Sequence, residues 1–136
     1  MTIPLLGVHR VQLASKWLQK IFDWTSNHGG PHFEELLNSN GEIALWLHKL
    51  NGSQSAGDAH EHLRASADAA LGTGVTFYVE VDDLEAVHQR CRRARAQIIE
   101  EIHFNENASL NEFTFRSPPG YVFTAYSRQL KSKIRK

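Results

Sequence analysis

Hydrophobic and polar positions along the chain fall into blocks whose period changes from two to nearly four and back. Residues 7–14, Gly-Val-His-Arg-Val-Gln-Leu-Ala, place Val11 and Leu13 on one side and Arg10 and Gln12 on the other, the alternation of a half-buried strand. Ser15 follows as an N-cap, and Trp17, Leu18, Ile21, Phe22 and Thr25 recur at i, i+3 and i+4, which predicts an amphipathic helix ending near His28-Gly29-Gly30-Pro31. Residues 32–38 and 42–49 flank Asn40-Gly41, a pair that tolerates positive φ at both centres of a two-residue type I′ turn, so a β-hairpin is expected there. Residues 50–72 are polar and then Ala-rich and read as a linker, with part of His60–Ala70 as a helix closed by Gly72 and Gly74.

The first pattern then returns. Val75, Phe77, Val79 and Val81 alternate with Thr76, Tyr78 and Glu80; Asp82-Asp83 supplies an N-cap; Leu84, Val87, Cys91 and Ala94 make one helical stripe. Residues 97–103, 112–116 and 121–127 are strand-like, the last two joined through a Pro118-Pro119-Gly120 turn. Strand, helix and strands thus occur twice, and this internal repeat sets the architecture as α+β. The expected organisation is one domain over 1–127, with module one at 7–49, a linker at 50–72, module two at 73–127 and a basic tail at 128–136.

Composition narrows the function classes. With 136 residues, 41% of them hydrophobic, a packed core needs no disulfide staple, and the lone Cys91 cannot provide one. That favours a reducing compartment, and no apolar run nears the roughly 18 residues that cross a bilayer. Met1–Arg10 lacks the charged and apolar regions of a secretion signal, so the expected location is cytoplasmic. The net charge of zero divides unevenly: five of the 15 basic residues, Arg128, Lys131, Lys133, Arg135 and Lys136, lie in the tail, whereas every acidic residue precedes position 113. A basic tail without interleaved aromatics reads as a solvated end rather than a nucleic-acid arm, and the acidic body mildly favours cationic small molecules.

Residues 74–86, Gly-Val-Thr-Phe-Tyr-Val-Glu-Val-Asp-Asp-Leu-Glu-Ala, and 113–123, Phe-Thr-Phe-Arg-Ser-Pro-Pro-Gly-Tyr-Val-Phe, resemble the second module of the vicinal oxygen chelate superfamily, which includes glyoxalases, bleomycin-resistance proteins and extradiol dioxygenases. The match is good over 74–127 and holds in outline over 7–49, where the first module looks abbreviated by one strand. The resemblance implies two βαβββ modules forming a curved mixed sheet around a cleft, in a homodimer. It also implies that metal-dependent members carry His and Glu ligands at four inward positions. Three of these correspond to Leu45, Thr76 and Thr124, none able to hold a divalent ion. The fourth depends on the register of the first strand. One register turns His9 inward; the other, favoured by parity with Val79 and Val81, turns Arg10 and Gln12 inward. No metal and no other cofactor is therefore expected, with His9 as the only alternative ligand.

The positions with a functional case are the inner-face set Arg10, Gln12, Thr76, Tyr78, Glu80, Thr124 and Tyr126, whose hydroxyls, carboxylate, guanidinium and phenols suit a planar polar ligand, aromatic or cationic. The bland alternative is a filled interior in which such groups satisfy one another, Arg10 with Glu80 for instance. If Leu45 faces inward, Trp46 faces outward. His60-Glu61-His62 reads as solvated linker, and strand alternation puts only Glu101, not Glu100, on the side of His103. Cys91, on an apolar stripe, reads as an inert thiol. Arg95 stands where the resemblance expects a helix-closing glycine, so a rearranged helix end is anticipated. The leading functional expectation is metal-independent sequestration of a drug or xenobiotic, as in bleomycin resistance. The alternative is a glyoxalase-type lyase or isomerase with Glu80 as general base, lacking a metal's Lewis-acid assistance.

Overall fold

The computed structural model describes residues 1–51, 62–66 and 68–128. The chain forms two compact units, residues 1–69 and 70–136. Each is a βαβββ module. The first contains β1 (Leu5–Val8), α1 (Val11–Phe22), β2 (Thr25–His28), β3 (Phe33–Leu37) and β4 (Ile43–Lys49); the second contains β5 (Thr76–Glu80), α2 (Leu84–Arg93), β6 (Gln97–Asn105), β7 (Leu110–Arg116) and β8 (Val122–Ser127). The strands make two four-stranded mixed sheets, ordered β1-β4-β3-β2 and β5-β8-β7-β6, with β1–β4 and β5–β8 the parallel pairs. Among the described residues no helix is long and apolar enough to cross a membrane.

The first module departs from its sequence pattern at both ends of α1. The opening strand stops at Val8, and residues 11–14, expected as strand, are helix. The buried side chains Val11, Ala14, Ser15, Leu18, Ile21 and Phe22 form a helical stripe, whereas Leu13 is 60% exposed. Four alternating residues cannot outweigh three turns of amphipathic helix. At the other end, the module is not abbreviated: Thr25–His28 pairs with β3 as an edge strand. Its four residues are exposed, so no apolar alternation announces it. The hairpin between β3 and β4 is real, but its turn is different. Only Gly41 has positive φ (80°), Gly41 N donates to Asn38 O at 3.0 Å and Asn38 Oδ1 accepts from Asn40 N and Glu42 N, which is a type I turn with a glycine bulge.

The second module follows its pattern closely. Asp83 caps α2 by accepting from Ala86 N at 3.1 Å, and Leu84, Val87 and Cys91 turn inward onto Phe113, Phe115, Phe123 and Ala125. Of the expected linker, residues 52–61 and 67 lie outside the described residues, and no helix forms among the others of 62–70; of the expected tail, only Arg128 is described. Asn51 pins the near side of the linker through hydrogen bonds with Ala65 N (2.9 Å) and Ala65 O (2.6 Å).

The end of α2 is not rearranged. Ala96 N donates to Cys91 O at 2.9 Å and Arg95 N to Arg92 O at 3.0 Å, the paired bonds of a Schellman close, with Arg95 itself at φ 59°. An arginine there bears steric strain that glycine does not. Arg95→Gly is expected to raise stability by about 0.5–1 kcal/mol, read as a higher urea midpoint at constant slope.

Candidate functional site

In the second module, strand pleating sorts side chains onto two faces. Phe113, Phe115, Phe123 and Ala125 pack against α2, and the opposite face carries Thr76, Tyr78 and Glu80 of β5, Thr124 and Tyr126 of β8, and Glu112, Thr114 and Arg116 of β7. The expected set Thr76, Tyr78, Glu80, Thr124 and Tyr126 is thus brought together. The rings of Tyr78 and Tyr126 lie 5.8 Å apart, centroid to centroid, and Tyr78 is 53% exposed. Tyr126 Oη donates to Glu80 Oε1 at 3.5 Å, and Tyr78 Oη donates to Glu112 Oε2 at 3.4 Å. Burial, then the nearby Glu112 carboxylate, raises the Tyr78 phenol above its ordinary range, so it is a neutral donor at physiological pH. Thr114 and Thr124, both buried, share a hydrogen bond of 2.8 Å. Arg128, just beyond β8, lays its guanidinium 5.5 Å from the Tyr126 ring centroid and brings Nε 3.5 Å from Glu80 Oε2.

Arg10 and Gln12 do not join this face or any sheet. Arg10 is the exposed N-cap residue of α1 and Gln12 lies exposed in its first turn, because the strand that was to carry them ends at Val8. Glu80 consequently pairs with Arg128, not with Arg10. His9 occupies the turn between β1 and α1 in neither of the two strand registers; its Nε2 is buried and has no hydrogen-bond partner among the described residues.

Sequence alternation also failed on β6. Register shifts between Ile98 and Glu100 and between Glu100 and His103 insert extra residues, so Glu100 pairs with Thr114 and His103 with Glu112. Glu100, His103 and Glu112 therefore gather, while Glu101 turns to His88 (2.7 Å) and Arg92 (3.5 Å) of α2. Parity had placed Glu101 with His103. A bulge reverses that parity, and nothing in the local composition marks one here.

In the first module Leu45 is buried on the α1 side with Leu36 and Leu47, and Trp46 takes the face away from the helix, the reverse of the sequence expectation. There Trp46 Nε1 donates to Glu35 Oε2 at 2.8 Å and Asn27 Nδ2 donates to Glu35 Oε1 at 2.8 Å. The hydrogen bonds from Asn27 and then Trp46 hold the Glu35 carboxyl below its usual value. Phe33 packs at 5.8 Å from Trp46 and 5.7 Å from His28.

Two other features bear on chemistry. A pocket of about 350 Å³ opens at the start of α2 among Asp82, Asp83, Glu85, Asn111 and Ser127. Cys91 is fully buried and burial pushes its thiol up to about 12, which makes it a poor nucleophile. His60 and Glu61 of the His-Glu-His motif lie outside the described residues.

No family model and no curated protein sequence matches the chain. Solved structures do. TioX from Micromonospora sp. ML1 superposes with a TM-score of 0.64 at 15% identity, covering 94% of this chain and 99% of that one. A possible glyoxalase from Bacillus cereus gives 0.62 at 19% identity over 93% and 98%, and a lactoylglutathione lyase from Agrobacterium tumefaciens gives 0.66 at 15% identity over 93% and 92%. The chain has the vicinal oxygen chelate fold. Within that fold, the positions to which the resemblance assigns metal ligands are held by Leu45, Thr76, Thr124 and, in one register, His9. Leu45 is packed under α1, Thr124 is bound to Thr114, and His9 lies off the strand. This donor set does not fit a divalent ion.

Proposed function

We propose that the protein sequesters a small planar cation, aromatic or guanidinium-like, of the drug or xenobiotic class, on the open sheet face of the second module, without metal at the four positions named above. The supporting observation is the placement of Arg128. The chain's own guanidinium rests over the Tyr126 ring and beside Glu80, and this contact supports a ligand of the same chemistry: a flat positive group on a phenol ring with a carboxylate at its edge. Tyr78, half exposed beside Tyr126, extends the aromatic platform, and its hydroxyl is anchored on Glu112. The homodimer implied by the resemblance belongs to the same reading.

Titration with an acridine-type dye, followed by dye and tyrosine fluorescence in the presence of a chelator, tests the proposal. Tyr126→Ala and Glu80→Gln are expected to weaken binding by roughly three- to tenfold each, the range for one partly exposed cation–π or ionic contact. Arg128→Ala should tighten it, because it removes the internal occupant. Failure of any planar cation to bind would sink the proposal, as would turnover of a hemithioacetal by the wild type that is abolished in Glu80→Gln, which is the lyase outcome.

A further inference from the structure

On the β6–β7 side of the same module lies a cluster that shares only Glu112, the anchor of the Tyr78 hydroxyl, with the cation-binding proposal. We propose that Glu100, His103 and Glu112 form a site for one divalent first-row transition-metal ion, distinct from positions 9, 45, 76 and 124. One donor atom from each of the three residues lies within 4.8 Å of the others. Glu100 and His103 are exposed, and Glu112 is buried, 3% exposed.

The hydrogen bonding of His103 gives the site its direction. His103 Nδ1 lies 2.8 Å from the carbonyl oxygen of Glu101. A carbonyl only accepts, so Nδ1 carries the hydrogen, which leaves Nε2 as the nitrogen that can offer a lone pair to a metal. That nitrogen stands 3.7 Å from Glu112 Oε2. Glu112 Oε2 accepts from Tyr78 Oη at 3.4 Å and keeps a second lone pair, which a cation would share with Nε2; an imidazole N–H held by a backbone carbonyl is a usual orienting contact behind a metal-bound histidine. A protonated His103 would satisfy Oε2 alone. Glu112 Oε1 is also buried, without a hydrogen-bond partner among the described residues, and a second carboxylate, Glu100, is brought to the same place by the β6 register shifts. Thr114 Oγ1, 3.5 Å from Glu100 Oε1, orients that carboxylate. One imidazole nitrogen and two carboxylates suit Zn²⁺, Mn²⁺ or Fe²⁺; Ca²⁺ and Mg²⁺ prefer all-oxygen shells.

Calorimetric titration of the chelator-stripped full chain with Zn²⁺ alone, with no organic ligand present, is expected to give one equivalent per chain. His103→Ala and Glu112→Gln should each weaken it by about tenfold or more, and His60→Ala/His62→Ala should leave it unchanged. Far-UV circular dichroism checks the fold; if Glu112→Gln does not fold, Glu100→Gln and His103→Ala, both at exposed positions, carry the test. Absence of zinc binding, zinc retained at full affinity in these variants, or loss of zinc in the His60/His62 variant overturns the proposal. Dye binding is measured in chelator and zinc binding without dye, so the two results stay distinguishable although Glu112 serves both sites.

Discussion

Phe115→Ala is expected to cost the protein about 3–5 kcal/mol, the range for emptying a large aromatic site in a packed core. Phe115 has no solvent exposure and stacks at 5.6 Å on Phe113 and 5.7 Å on Phe123, so it is the middle ring of three that line the α2 side of the second sheet. Truncation removes hydrophobic burial and leaves a cavity that flanking strands, tied by ladder hydrogen bonds on both sides, cannot collapse into. A domain's total stability is only about 5–15 kcal/mol, so the variant should lose a large share of it and unfold at a clearly lower urea midpoint. Phe104→Ala is the control, since that ring is 42% exposed and its loss should cost under about 1 kcal/mol. Urea unfolding of the three proteins at unchanged slope checks the ranking; equal losses in both variants would show that the ring stack is not the core of this module.

The second large effect is predicted at Glu34, whose carboxylate is buried between α1 and β3. It accepts from Ser15 Oγ, from Ser26 Oγ at 2.9 Å and from Gly30 N at 3.2 Å, and Gln19 Nε2 donates in turn to Ser15 Oγ at 2.8 Å. Replacing it by alanine strands several donors, Ser15 among them at 1% exposure, and a buried donor without an acceptor costs about 1–3 kcal/mol. Glu34→Ala is therefore expected to lose roughly 2–4 kcal/mol. The test that separates this cause from simple loss of volume is a pair. Glu34→Leu should remain strongly destabilised, whereas Glu34→Leu combined with Ser15→Ala should recover part of the loss, because both sides of the broken bond are then apolar. No recovery in the double variant would mean that the serine is not what the carboxylate satisfies. The same network explains a local constraint: a Cβ at Gly29 would stand 2.6 Å from Glu34 Oε2.

Much of the candidate site was visible before the structure. Alternation puts Thr76, Tyr78 and Glu80 on one face, the family resemblance adds Thr124 on β8, and pairing of Tyr78 with Thr124 and Glu80 with Tyr126 in a parallel ladder places all of them with Tyr126 on one face. Alternation is a short-range property, and it is reliable wherever a strand runs without interruption. It misled at Arg10 and Gln12, where two periods of strand-like pattern continue into a helix, and at His103, where bulges in β6 exchange Glu101 for Glu100 as its neighbour. It misplaced Leu45 and Trp46 because the face assigned to them came from an aligned correspondence with the second module and not from their own burial.

The repeat of strand, helix and strands, the apolar stripe of α2, its Asp83 cap and the places of the 38–41 and 117–120 turns are legible in the chain because each depends on residues a few positions apart. The edge strand Thr25–His28, the partner of Glu80, the buried acceptor at Glu112 and the meeting of Glu100 with His103 are not, because they depend on which distant strands pair and where a ladder slips by a residue. Local periodicity carries no record of those pairings; they are chosen by how the modules' sheets satisfy their backbone hydrogen bonds and bury their rings, and they decide which ionisable groups meet.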